Sequence, residues 1–210
     1  MEPFTTLTST VVRIAGRNVD TDQIIPARFL RNPRKDGYAG YLFHDLRFTS
    51  DGTPVAEFAL NRPENQGARI LAAGENFGCG SSREGAVYAL LDSGIRCVVA
   101  PSFGDIFRTN CCKNGILPVV LAESELERLL GNAMAGKRPM VTVDLSAQSV
   151  TCGPASAAFA IEPFWKDCLL TGADDIDITL RQAARIEAFA REHFARHPWM
   201  ALPPAGTTER

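Results

Sequence analysis

Gly74-Glu75-Asn76-Phe77-Gly78-Cys79-Gly80-Ser81-Ser82-Arg83-Glu84-Gly85 joins an apolar run that reads as a strand, Ala68 to Ala73, to a run that reads as a helix, Gly85 to Ser93. Three glycines, two adjacent serines and an arginine lie between the two elements. Glycine permits positive φ and close approach of backbone to a ligand. A helix start offers unpaired N–H groups and the positive end of a dipole, so an anion is stable there. Two hydroxyls and a guanidinium at that place point to a carboxylate or a phosphate.

Nucleotide patterns do not account for the segment. A Walker loop requires a lysine that is missing here. Gly78 and Gly80 begin a G-x-G-x-x-G fingerprint, but Arg83 occupies its last position and would block close approach of a pyrophosphate. Two readings of Ser81 remain side by side. Ser81-Ser82-Arg83-Glu84 fits a capping box, worth about 0.5–2 kcal/mol, and the same hydroxyl is placed for chemistry. Arg83 in a first helical turn opposes the dipole, a conflict that a bound anion would remove.

Outward from this segment, strand-like and helix-like runs alternate. Arg96 to Ala100 reads as a buried strand, Phe103 to Asn114 as a helix and Ile116 to Leu121 as a strand. Glu123 to Ala135 reads as an amphipathic helix with Leu126, Leu129, Leu130 and Met134 on one face. Ser9 to Ala15 is a strand on the N-terminal side. Alternation of this kind implies a parallel sheet with crossover helices. Beyond it, Met140 to Leu145 and Gln148 to Cys152 read as a hairpin, and Ala158 to Ile161 as a further strand. Pro163 opens a helix that stops at Gly172. Thr179-Leu180-Arg181-Gln182 reads as a capping box opening a last helix to His197. One domain over residues 1–197 and a loose tail over 198–210 are expected.

Composition bounds the function. The chain has 210 residues, 45% hydrophobic and 22% charged, with a formal net charge of -2. That is the balance of a globular protein with a real core. No basic field exists to attract nucleic acid. No apolar run is long enough to span a membrane, and no secretory pattern opens the chain, so a cytoplasmic protein is expected. The six cysteines, Cys79, Cys97, Cys111, Cys112, Cys152 and Cys168, include no C-x-x-C pair. They are expected to be reduced thiols, and no metal site is expected within this chain. His193 and His197 are expected on a solvated helix face, and His44 in a structural role.

Several separated motifs carry a resemblance. Gly80-Ser81-Ser82-Arg83-Glu84, Ala100-Pro101-Ser102-Phe103-Gly104-Asp105-Ile106-Phe107, Asn110, Gly115-Ile116-Leu117-Pro118-Val119 and Asn18-Val19-Asp20-Thr21-Asp22-Gln23-Ile24-Ile25-Pro26 occur in order. Together they resemble the swivelling domain of the aconitase superfamily. Tyr41 to Phe48 and Cys168 to Gly172 are similar to the small subunits of its two-chain isopropylmalate dehydratases.

The resemblance implies an α/β, three-layer β/β/α swivelling domain. It implies a hydro-lyase that moves water between adjacent carbons of a hydroxy-diacid through an alkene, as in leucine synthesis. It implies a [4Fe–4S] cluster held by a large partner subunit, with one iron acting as Lewis acid on the substrate. Ser81 would then be the base that takes a proton from carbon, assisted by Asp22. Ser82 and Arg83 would hold a substrate carboxylate, with Arg28 and Arg31 towards its variable part. Related hydratases for homocitrate, methylmalate or dimethylmaleate are the alternative, and a non-catalytic anion-binding module is a third. The resembling proteins carry His where this chain has Gly85.

Overall fold

The computed structural model describes residues 1–131 and 140–200. The chain divides into two compact units, Met1–Ala173 and Asp174–Arg210.

The first unit is built on one seven-stranded sheet. Its strands are β1 (Thr6–Arg13), β2 (Ile70–Ala72), β3 (Cys97–Ala100), β4 (Leu117–Val120), β5 (Met140–Asp144), β6 (Ser149–Cys152) and β7 (Ala155–Ala158). Their order is β4-β3-β2-β1-β5-β6-β7. β1 to β4 form a parallel half, and β5 to β7 an antiparallel half. β1 belongs to both. Its end pairs with β2 through Val11, Val12 and Arg13, and its beginning pairs with β5 through Thr6 to Thr10.

The period-2 alternation of the buried strands creates two cores. Ile70, Ala72, Cys97, Val99, Leu117 and Val119 point to one side. There they meet Val141, Val143 and Val150 of the antiparallel half and Leu126, Leu129 and Leu130 of a helix. Leu71, Ala73, Val98 and Ala100 point to the other side, against Ala86, Val87, Ala89, Leu90, Phe107 and Cys111. Sheet half, sheet half and helices form the expected β/β/α layering. The helices are α1 (Thr21–Ile24), α2 (His44–Arg47), α3 (Glu84–Asp92), α4 (Asp105–Asn114), α5 (Glu123–Gly131) and α6 (Pro163–Thr171). α4 and α6 both end at a glycine in the left-handed conformation, Gly115 (φ 85°) and Gly172 (φ 70°).

Some expectations shift. β7 starts earlier than expected, because Gly153 at φ 55° makes a tight hairpin in which Cys152 pairs with Ala155. The expected end of α5, with Met134, lies outside the described residues.

The second unit holds α7 (Asp175–Leu180) and α8 (Ala183–Arg196). The expected Thr179 capping box is not formed. Asp174 caps α7 instead, accepting from the N–H groups of Ile176 (2.9 Å) and Asp177 (2.8 Å). Thr179 is therefore helical, and its hydroxyl bonds back to the Asp175 carbonyl at 2.9 Å. α8 begins after Gln182 with no side-chain cap. His193 stacks on Phe189, their ring centroids 5.5 Å apart. Pro198–Met200 is a 3-10 turn, and the rest of the expected tail lies outside the described residues. No helix among the described residues is long and apolar enough to cross a membrane.

Candidate active site

Three loops that leave the carboxyl ends of parallel strands lie side by side. They follow β1 (residues 16–20), β2 (74–83) and β3 (101–104). Backbone bonds join them: Asn18 N to Glu75 O at 2.9 Å, Gly78 N to Val19 O at 2.7 Å, Phe77 N to Ser102 O at 3.1 Å and Gly104 N to Phe77 O at 2.9 Å. Bridges between Asp20 and Cys79 and between Phe77 and Phe103 extend the parallel pairing past the strands. Ligands of open parallel sheets bind at this end.

Glycine makes the approach possible at two positions. Gly78 has φ 72°, and a Cβ there would lie 2.2 Å from Cγ of Phe107. Gly104 opens α4, and a Cβ there would lie 2.6 Å from the Gly78 carbonyl oxygen. The loop after β2 thus rests on the backbone that starts α4.

α1 is a single turn with a strong cap. Asp20 Oδ1 accepts from the Gln23 N–H at 2.8 Å, and Gln23 Oε1 accepts from the Asp20 N–H at 3.0 Å. This capping box fixes Asp20 in the framework and leaves Asp22 free to point elsewhere. Asp22 forms an ion pair with Arg83. Arg83 is not in the first turn of α3 as expected but is its extended cap residue, and it faces an anion from the chain itself. The pair joins two expected site residues that are 61 positions apart.

The Ser81 capping box is a correction. α3 begins at Glu84, Arg83 is its cap residue in an extended conformation, and no side chain caps it. Gly80, at φ 88°, turns the chain so that Ser81 stands outside the helix. Glu84 accepts from Asn114 Nδ2 at 2.8 Å, away from Ser81. The Ser81 and Ser82 side chains are exposed. The Ser81 carbonyl accepts from the hydroxyl of Thr21 at 2.9 Å.

Arg28 and Arg31 lie in the 3-10 turn Ala27–Arg31. Arg28 makes a two-point pair with Asp45, Nη1 to Oδ2 at 2.8 Å and Nη2 to Oδ1, and lies 4.5 Å from the Phe29 ring centroid. Arg31 is exposed and has no ion pair among the described residues. The structure thus groups Ser81, Ser82, Arg83 and Asp22, and engages Arg28 elsewhere.

Gly85 is buried, and a side chain there would require the end of the Leu30 side chain to shift. A Cβ there would lie 2.5 Å from Cδ2 of Leu30 and 3.5 Å from Cε2 of Tyr38.

The hydrogen bond from Arg28 pulls the Asp45 carboxyl down to about 2, outweighing the opposing desolvation, and His44 adds to it. The stabilisation from this pair is complete above the ordinary carboxylate value of about 3.9. It is lost as pH falls through about 2. Carbon-13 NMR titration of the Asp45 carboxyl should give a midpoint near the lower value. A midpoint close to that of a free aspartate would contradict the pair.

All six cysteines are free thiols, five of them buried. Burial raises Cys97 and Cys111 and pushes Cys112 up to about 12, so these thiols stay protonated. Cys79 alone is partly exposed, without a second thiol at the site. Among the described residues, no group of three or more His, Cys, Asp or Glu is placed to hold a metal ion. The donor set of this chain does not fit an iron–sulfur cluster.

Thr21 and Asp20 hold the framework of the site, and sequence reasoning passed over both contacts. The Asp20-x-x-Gln23 spacing was the available signal for the cap. Nothing in the sequence marks the reach of Thr21 to Ser81.

The model of the aconitase C-terminal domain family matches residues 1–124. The 3-isopropylmalate dehydratase small subunit of Paramagnetospirillum magneticum is 49% identical over 202 residues, covering 95% of this chain and 100% of the relative. That of Rhodospirillum centenum is 50% identical over 200 residues, covering 95% and 98%. A crystal structure of 3-isopropylmalate dehydratase from Methanocaldococcus jannaschii shares the fold, with a TM-score of 0.60 at 24% identity over 87% of this chain and 99% of that one. With its parallel-strand site and these relatives, the chain belongs to the aconitase C-terminal domain family, among the small subunits of 3-isopropylmalate dehydratase.

Proposed function

We propose that this chain is the small half of a two-subunit hydro-lyase that interconverts 2-isopropylmalate and 3-isopropylmalate. A large subunit brings the [4Fe–4S] cluster, and this chain brings the groups that hold the diacid and move the proton on carbon. The observation that carries the reading is the convergence of Ser81, Ser82, Arg83 and Asp22 at one end of the parallel strands, joined by the Asp22–Arg83 pair.

Each group has a share. The Ser81 hydroxyl stands exposed just before a helix start. N–H groups and the dipole there stabilise an alkoxide, which a weakly acidic hydroxyl needs if it is to act as a base. Arg83 and Ser82 bind a substrate carboxylate. Charge grows on that carboxylate as the carbon acid loses its proton, so Arg83 contributes most in the transition state. Asp22 holds the guanidinium in place by the ion pair. Arg31 is the exposed cation that would meet a longer or more acidic substituent, the observation that keeps a homocitrate-type substrate as the second reading.

Turnover decides between them. The chain is co-expressed with a cluster-bearing large subunit, reconstituted anaerobically and followed by alkene absorbance with isopropylmalate, methylmalate and homocitrate. Preference for isopropylmalate is expected, and turnover of only another diacid would overturn the substrate assignment. Arg83→Lys should lower kcat/KM by roughly 10- to 100-fold, because lysine cannot make a planar two-point contact. Steady-state kinetics of the assembled variant check this.

A further inference from the structure

Ser81 lies in a stretch without regular structure. Gly80 before it turns at φ 88°, and no side chain caps the helix after it. Such a segment does not by itself hold a hydroxyl to the tolerance that proton transfer demands. One neighbouring residue grips it from below. Thr21 is 2% exposed, and its hydroxyl donates to the Ser81 carbonyl at 2.9 Å. Its own N–H donates to the Cys79 carbonyl at 3.0 Å. The two bonds straddle Gly80, where a Cβ would lie 3.5 Å from Cβ of Asp20 and 3.9 Å from Oγ1 of Thr21. The next residue, Asp22, holds Arg83. Residues 79, 81 and 83 are therefore tied in turn to Thr21, Thr21 and Asp22.

The side chain of Thr21 has no part in the cap of α1, which uses Asp20 and Gln23. Its hydroxyl is a buried donor committed to the Ser81 backbone. Such a donor costs desolvation energy unless it is satisfied. A valine would fill the same volume and retain the β-branch.

We infer that Thr21 is the positioning residue for Ser81: its buried hydroxyl sets where the Ser81 side chain stands relative to the Asp22–Arg83 pair. This rests on the reading of Ser81 as the base. Thr21→Val keeps the shape and removes the donor, while Thr21→Ser keeps the donor. A displacement of the base on the ångström scale lowers the chemical step, whereas Arg83 is held separately by Asp22.

The test uses the assembled two-subunit enzyme, with kcat and KM measured per assembled complex. Thr21→Val is expected to lower kcat by about 10- to 100-fold with KM little changed, and Thr21→Ser to restore most of it. An unchanged kcat in Thr21→Val, or a Thr21→Ser no better than valine, would overturn the proposal. If Thr21→Val does not assemble, Thr21→Ala is read in its place. Failure of both to assemble would make Thr21 a folding residue and overturn it as well. Ser81→Ala separates the two levels. If it retains turnover, the base reading fails and Thr21 with it. If it is inactive while Thr21→Val is fully active, only this proposal fails.

Discussion

Replacing Ser81 by alanine should lower kcat by about 10²- to 10⁴-fold, the span expected when a positioned proton-transfer group is lost. Stability should change by no more than about 0.5 kcal/mol, because the side chain is exposed. The two numbers together discriminate between the readings of this residue. A helix-capping serine would cost about 0.5–2 kcal/mol of stability and little else. In the folded chain Ser81 is outside α3, and its carbonyl is the atom that the fold holds. Melting curves of the isolated chain and turnover of the assembled enzyme measure both effects. An active Ser81→Ala variant would remove the base from the mechanism.

Gly104→Ala should be strongly damaging on the stability side. The added carbon would meet the Gly78 carbonyl oxygen at 2.6 Å, and the Gly78 carbonyl carbon and Cys79 Cα at 3.1 Å. These are backbone atoms, and a rotamer change cannot move them away. Overpacking of this kind costs about 1–3 kcal/mol, and rigid backbone places the site at or above the upper end. A fall in Tm of roughly 5–10 °C follows for a domain of this size. The relief available is separation of the Gly78–Cys79 backbone from the start of α4. That movement carries Ser81, two residues further on, away from its setting. Turnover should therefore fall in the fraction of the variant that still assembles. A Tm within 1–2 °C of the parent would show that the loops are less tightly joined than the geometry implies.

The sequence disclosed the fold through elements whose pattern is local. Buried runs such as Cys97–Ala100 and the Leu126, Leu129, Leu130 stripe of α5 have periods that can be counted. Capping was less legible. Ser-x-x-Glu at Ser81 and Thr-x-x-Gln at Thr179 match the pattern, yet neither forms. The boxes that do form use aspartate, at Asp20 and Asp174, whose carboxylates accept N–H bonds at 2.8 to 2.9 Å. A positive φ at Gly80 decides the case of Ser81, and a sequence pattern does not report φ.

The long stretch between α1 and β2 has no period at all. It is a chain of 3-10 turns, interrupted by the single turn of α2, pinned by side chains that bond backbone. Asn61 Nδ2 donates to Arg47 O at 2.7 Å and Val55 O at 2.9 Å, and Asn65 Nδ2 to Ala59 O at 2.8 Å. Asparagine is suited to this use, but its partners are set by tertiary contacts.

The candidate site divides in the same way. Ser81, Ser82, Arg83 and Asp22 were each visible as residue types in motifs. Their grouping was not, because the Asp22–Arg83 and Thr21–Ser81 contacts span 61 and 60 positions. Arg28 shows the converse. The resemblance turns it towards the substrate's variable part, and its pairing with Asp45, 17 positions away, is not marked in the sequence.

The central claim is that this chain completes an active site whose remainder lies on another subunit. The most direct measurement is alkene absorbance with isopropylmalate for three samples: this chain alone, a reconstituted cluster-bearing large subunit alone, and the two mixed. Turnover in the mixture only, absent again when the mixed chain carries Ser81→Ala, is the predicted result. Full turnover by the large subunit alone, or a mixture in which the Ser81→Ala chain serves as well as the parent, would contradict the claim.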